Sequence, residues 1–68
     1  MRQIAIRDDT IRLGQLLKLA QLVDSGGDAK AVLETGGVRV NGKVETRRGR
    51  RLQRGDEVVL GGDQVRVV

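Results

Sequence analysis

LGQLLKLAQLVDSGGDAKAVLETGGVRVNGKVE, residues 13–45, changes its apolar rhythm twice, and those changes decide the fold. Leu13, Leu16, Leu17 and Ala20 recur at i, i+3, i+4 and i+7, the spacing of one helical face. Leu19, Leu22 and Val23 widen that stripe, and Gly14, Gln15, Lys18 and Gln21 form its polar side. Ser25 with Asp28 three positions on is a capping-box pattern, after which Ala29, Val32 and Leu33 give a second, shorter apolar face. Gly36-Gly37 closes that helix, since glycine takes the left-handed position that ends one. With only Asp24 or so between them, the two helices form a helix-turn-helix unit packed at an angle. Beyond the glycines the period falls to two: residues 38–40 and 44–46 flank Asn41-Gly42, a strong hairpin signal.

The flanks complete a sheet. Residues 2–6 alternate polar and aliphatic, with Ile4 and Ile6 on one face, and stop at the turn signal Asp8-Asp9, after which Thr10 caps the first helix. Downstream, Gly55-Asp56 is a turn, residues 57–60 a strand, Gly61-Gly62-Asp63 a turn and residues 64–68 a final strand. Gly61-Gly62 has neither a GxGxxG pattern nor a following helix, so it is no phosphate loop. For the hairpin, a two-residue loop pairs Val40 with Lys43 and Arg39 with Val44, mixing the faces. A three-residue loop with Gly42 in a bulge pairs Val38 with Val44 and Arg39 with Lys43, separating an apolar face from a basic one, and is the expected register. The fold class is α+β: residues 1–68 as a single domain, two helices packed on a small, mostly antiparallel sheet.

Composition narrows the chemistry. A chain of 68 residues buries only about 60% of the surface its unfolded form exposes, so the core is small. There is no Cys for a disulfide and neither Cys nor His for a zinc site, so stability rests on aliphatic packing and no metal or cofactor is expected. Without His, Cys or Tyr the usual nucleophile-base pairs cannot be assembled, and neither an enzyme nor a small-molecule substrate is expected. No run approaches a membrane span and residues 1–10 lack the apolar stretch of a signal peptide, which points to the cytoplasm. The absence of Phe, Tyr and Trp removes the platforms on which single-strand binders stack bases. A nucleic-acid partner would be read through phosphates, shape and hydroxyls.

Such a partner is what the charge implies. Residues 38–54 hold seven of the thirteen basic residues against one acid, Glu45, a local net of +6, while the other residues carry six basic and eight acidic groups, a net of −2. Basic character concentrated in one segment is the footprint of a surface that meets a polyanion. Arg47, Arg48, Arg50, Arg51 and Arg54 repel one another and bring no stability of their own, and Gly49 lets the backbone turn among them. Arg39 and Lys43 extend the patch along the hairpin. Ser25-Gly26-Gly27 has two readings: free amides at a helix start that take a phosphate with Lys30 and Lys18, or a close helix crossing that only glycine permits. Asn41 is a turn residue first, with any RNA contact added from the hairpin tip.

In the order LGQLLKLAQLVDSGGDAK, then AVLETGGVRVNGKVE, then RRGR, the chain resembles the RNA-binding domain named after ribosomal small-subunit protein S4, the αL motif, and within it the compact bacterial single-domain group of the YbcJ type. The resemblance implies binding to structured ribosomal or transfer RNA, with the ribosome or a ribosomal subunit as a further partner, through the second helix's start and the adjoining strands and loop. It points to Ser25, Gly26, Lys30, Arg39, Asn41, Lys43, Arg47 and Arg48, with Lys18 beside them. Two positions depart from the family pattern: Gly26 stands where many members have a basic residue, and ETRRGRR replaces a proline-containing segment. The expectation is a monomeric, non-catalytic RNA binder.

Two other readings remain. A DNA-reading helix-turn-helix needs base-contacting basic side chains on its second helix, whereas Asp28, Lys30, Ala31, Glu34 and Thr35 are nearly charge-balanced. A protein-interaction module could use the same arginines to dock an acidic or ribosomal protein.

Overall fold

A computed structural model describes residues 1–68. The chain runs β1 (Arg2–Ile4), β2 (Thr10–Arg12), α1 (Leu13–Leu19), α2 (Gly26–Glu34), β3 (Val38–Val40), β4 (Lys43–Val44), β5 (Arg51–Gln53), β6 (Glu57–Leu60) and β7 (Asp63–Val67). One sheet has the order β1-β7-β6-β3-β4, with β1 parallel to β7 and the other pairs antiparallel. β2 and β5 form a separate antiparallel ribbon. Leu13, Leu16, Leu17 and Ala20 from α1, Ala29 and Leu33 from α2, Val38, Val40, Val58, Val65 and Val67 from the sheet and Leu52 from the ribbon share one aliphatic core, completed by Ile6 and Val23. No polar side chain is buried there. The α+β class is as the sequence implies, and no helix is long and apolar enough to cross a membrane.

The first helix starts differently from the expectation. Thr10 does not cap it; Thr10 lies in β2 opposite Gln53, and the N-cap is Arg12, whose amide donates to Gln15 Oε1 at 3.2 Å. The next amides are capped by a distant loop: Leu13 N–H donates to the Arg50 carbonyl at 2.8 Å and Gly14 N–H to the Arg48 carbonyl at 2.9 Å. A guanidinium has no acceptor, so this cap had to come from elsewhere in the chain. The helix also ends early. Gln21 turns left-handed (φ 59°), with Gln21 N–H to the Lys18 carbonyl at 3.0 Å and Leu22 N–H to the Leu17 carbonyl at 2.9 Å, a Schellman closure. A non-glycine residue there costs about 1 kcal/mol, which is why the sequence hides it. The connection is therefore residues 20–25 rather than Asp24 alone, Leu19 is 53% exposed rather than part of the stripe, and Gly14 is buried rather than polar surface.

The second helix follows its signals. Ser25 Oγ accepts from Asp28 N–H at 3.2 Å, and at the far end Gly36 (φ 76°) and Gly37 close a Schellman motif onto the Leu33 and Val32 carbonyls.

The hairpin takes the register that the sequence argument set aside. Arg39 pairs with Val44 and Val40 with Lys43 across a two-residue loop in which Asn41 (φ 51°) and Gly42 (φ 86°) are both left-handed. That type I′ turn matches strand twist, and Asn-Gly suits it better than any other pair. The face-matching argument had little force because β4 is two residues long and Val44 is half exposed. As a result Arg39 and Lys43 leave opposite faces of the hairpin. Two other features were not expected: a strand, β5, within the arginine run, and a parallel β1–β7 pair joining the chain's two ends.

Candidate nucleic-acid interface

Glu45 organises the arginine run. Its carboxylate accepts from the amides of Thr46 (3.0 Å) and Arg47 (3.1 Å), from Arg47 Nε (3.4 Å) and from Arg50 Nε (3.0 Å). Its side chain is only 14% exposed. The Arg47 amide, more than any other contact, holds the carboxyl below the ordinary carboxylate range, against the opposing effect of burial, and the Arg47 guanidinium adds to the lowering. Arg50 N–H closes the turn onto the Arg47 carbonyl at 3.3 Å, leaving Arg48 and Gly49 at its corners. Two carbonyls of this turn then cap α1, as described above.

Arg48 is thereby laid across the start of α1. A β-carbon at Gly14 would overlap Arg48 Cγ and lie 3.1 Å from its Cδ, so only glycine leaves room for this arrangement. The guanidinium continues towards α2, where a β-carbon on Gly26 would sit 3.9 Å from Arg48 Nη1. An open cavity of 290 Å³ lies here, lined by Arg12, Gly14, Gln15, Lys18, Gly26, Arg48 and Gly49, without one hydrophobic residue. Arg12, Lys18 and Arg48 have no acidic partner within 4 Å. The amides of Gly26 and Gly27 have no acceptor in the protein. Lys30 follows Gly26 by one helical turn, on the same face.

The predicted site residues divide into two groups. Lys18, Gly26 and Arg48 meet at the cavity, with Gly27 and Lys30 on the adjoining helix and Arg51 on the neighbouring ribbon. The rest are engaged or displaced. Arg47 and Arg50 share Glu45, and Arg54 donates to Asp9 Oδ1 at 3.2 Å and to the Ile6 carbonyl at 3.1 Å, so three of the five arginines are compensated by acids, contrary to the expected bare run. Ser25 serves as an ordinary cap. Asn41 donates to Asp56 Oδ1 at 3.1 Å and accepts from Glu57 N–H at 3.0 Å, tying the hairpin to β6. Arg39 and Lys43 are exposed on opposite hairpin faces and do not form the single strip the other register implied. The helix-crossing reading of Gly26-Gly27 fails as well, because no second helix approaches either position; the close approach is at Gly14.

Sequence reasoning missed Arg12, Gly14 and Gln15. Arg12 belongs to a strand with no alternating apolar signal of its own, and Gly14 sits at a helical position where glycine is merely unfavourable until its neighbour is known. A glycine one place into a strong leucine stripe was the available clue.

Comparison with known proteins fixes the family. Residues 4–68 match the S4 domain model. The chain belongs to the S4 domain family. Relatives of this S4 domain include a Bacillus subtilis (strain 168) protein named "Probable ribosome maturation protein RlbA", 48% identical over 59 residues, which span 87% of this chain and 83% of the relative. YbcJ of Escherichia coli (strain K12) is 40% identical over 58 residues, covering 85% of this chain and 83% of its own. The solution structure of E. coli YbcJ, described as revealing an αL motif involved in RNA binding, superposes with a TM-score of 0.76 at 35% identity, over 100% of this chain and 87% of that one.

Proposed function

We propose that this S4 domain is a non-catalytic cytoplasmic module that grips the phosphate backbone of structured RNA, ribosomal or transfer RNA, and acts as a monomer on or near a ribosomal subunit. The observation that carries this reading is the placement of Arg48. It is held across Gly14 against the start of α2, where its guanidinium joins Lys18 and Arg12 around an all-polar cavity that holds no acid. Arginine is suited to bidentate contact with phosphate, and the unpaired helix-start amides of Gly26 and Gly27 add neutral donors. Lys18, Gly26, Gly27, Lys30, Arg48 and Arg51 form the contact surface, with Arg39 and Lys43 at its margins. Arg47, Arg50, Arg54 and Asn41 hold the frame. The names given to RlbA and YbcJ support RNA binding in a ribosomal setting.

Gel retardation of a hairpin RNA at several salt concentrations tests it. Neutralising about four to six phosphates gives a log-log slope of about −3 to −5, and Arg48→Ala with Lys18→Ala flattens the slope and weakens binding. Salt-independent binding, or unchanged affinity in that double variant, contradicts the reading. Retention of a ribosomal protein partner after nuclease treatment would instead mark the surface as a protein-docking site.

A further inference from the structure

The β2–β5 ribbon pairs two of the surface's arginines in a way that the RNA reading alone does not explain. Arg12 and Arg51 are cross-strand partners. Because Leu13 N–H donates to the Arg50 carbonyl, they occupy a non-hydrogen-bonded pair, the position at which opposed side chains in an antiparallel ladder come closest. Both side chains are exposed, and neither has an acidic group within 4 Å or a hydrogen-bond acceptor in the protein. Like charges directly opposed on a ladder destabilise it. Three other exposed arginines are given acids, Arg54 with Asp9, Arg66 with Glu57 and Arg47 with Glu45, while Arg7, Arg39 and Arg48 have none within 4 Å but stand opposite no second arginine on a ladder.

The pair is also continuous with the site already described. Arg12 lines the cavity beside Arg48, and the turn that presents Arg48 leads directly into Arg51. We infer that Arg12 and Arg51 form a two-guanidinium phosphate clamp that takes a further phosphate of the RNA backbone, adjacent to the one at Arg48. A phosphate oxygen pair between the guanidiniums accepts from both and removes the repulsion, so the ligand supplies the charge that the fold withholds. This inference rests on the RNA reading and deepens it, giving two residues of that surface, Arg12 and Arg51, one shared phosphate.

The test compares, on one hairpin RNA, the single variants of equal net charge Arg12→Gln, Arg51→Gln, Arg48→Ala and, as a control on the solvent face of the large sheet, Arg66→Gln, together with the double variant Arg12→Gln/Arg51→Gln. Each clamp variant is expected to bind about 3- to 10-fold more weakly and to lower the salt slope by about 1, while Arg66→Gln stays within twofold of wild type. A second measurement guards against a folding effect. Without RNA, the double variant unfolds at the same or a higher temperature than wild type, and inorganic phosphate, at matched ionic strength with chloride, raises the wild-type midpoint more than the variant's. Clamp variants that bind like Arg66→Gln while Arg48→Ala is impaired overturn the clamp and leave the RNA reading intact. If wild type binds no RNA, both fall.

Discussion

Replacing Gly14 by alanine separates stability from binding in this domain. In a helix interior the exchange is worth up to about 1 kcal/mol in favour of alanine, and about half of that near an N-terminus. Against it stands the overlap of the new β-carbon with Arg48 Cγ, near the root of that side chain. If Arg48 were fixed, overpacking of this kind would cost about 1–3 kcal/mol. Arg48 is exposed, however, and rotation about its first side-chain bond clears the contact. The Gly14 amide keeps its bond to the Arg48 carbonyl, which lies 3.5 Å from the added atom, an ordinary contact. The side chain therefore moves and the backbone stays. Net stability changes by less than about 1 kcal/mol, whereas a displaced guanidinium forfeits a charge-assisted contact of about 1.5 kcal/mol, which is about tenfold in affinity. Urea unfolding and fluorescence anisotropy with a labelled hairpin RNA measure the two quantities. Gly14→Ala should bind as weakly as Arg48→Ala, and the double variant should be no weaker than either, because one interaction is removed twice. Wild-type affinity in Gly14→Ala, or a stability loss above about 3 kcal/mol, refutes the placement of Arg48 as the reason for this glycine.

Three further outcomes are expected. Glu45→Gln raises the charge of the basic run yet should weaken RNA binding at least about threefold, since the turn presenting Arg48 loses its organising carboxylate; tighter binding would show that simple charge governs. The lowered Glu45 pKa means its stabilisation is complete above the unfolded carboxyl value and is lost as pH falls through the lower folded one, so thermal melts below about pH 4 should show wild type losing its advantage over Glu45→Gln. Arg54→Ala breaks a part-buried bond to the Ile6 carbonyl and should lower stability by about 1 kcal/mol with RNA affinity held within twofold, and a large affinity loss would return Arg54 to the contact surface. Gly27→Ala meets only ordinary contact at Ser25 Oγ and should stabilise α2 by up to about 0.5 kcal/mol; an accompanying loss of RNA affinity would show close backbone approach at that helix start.

The division between chain and fold is visible at particular residues. The leucine stripe, the Ser25 cap, the closure at Gly36-Gly37 and the Asn41-Gly42 turn are local, set by side chains within a few positions of one another, and each was legible in the sequence. So was the concentration of positive charge in residues 38–54. The hairpin register is not legible from face matching, because the geometry of the Asn41-Gly42 turn dominates and a strand as short as β4 exerts little face preference. What tertiary structure decided involves residues far apart in the chain. Arg48 and Arg50 carbonyls cap α1, Gly14 makes room for Arg48, Arg54 finds Asp9, and Arg12 comes to face Arg51. The sequence by itself determined that the protein is a small aliphatic α+β domain with one strongly basic segment. Only the folded chain decided which of those charges are spent on holding the frame and which stand free, because neutralisation depends on separations of a few ångströms that distant segments alone bring about.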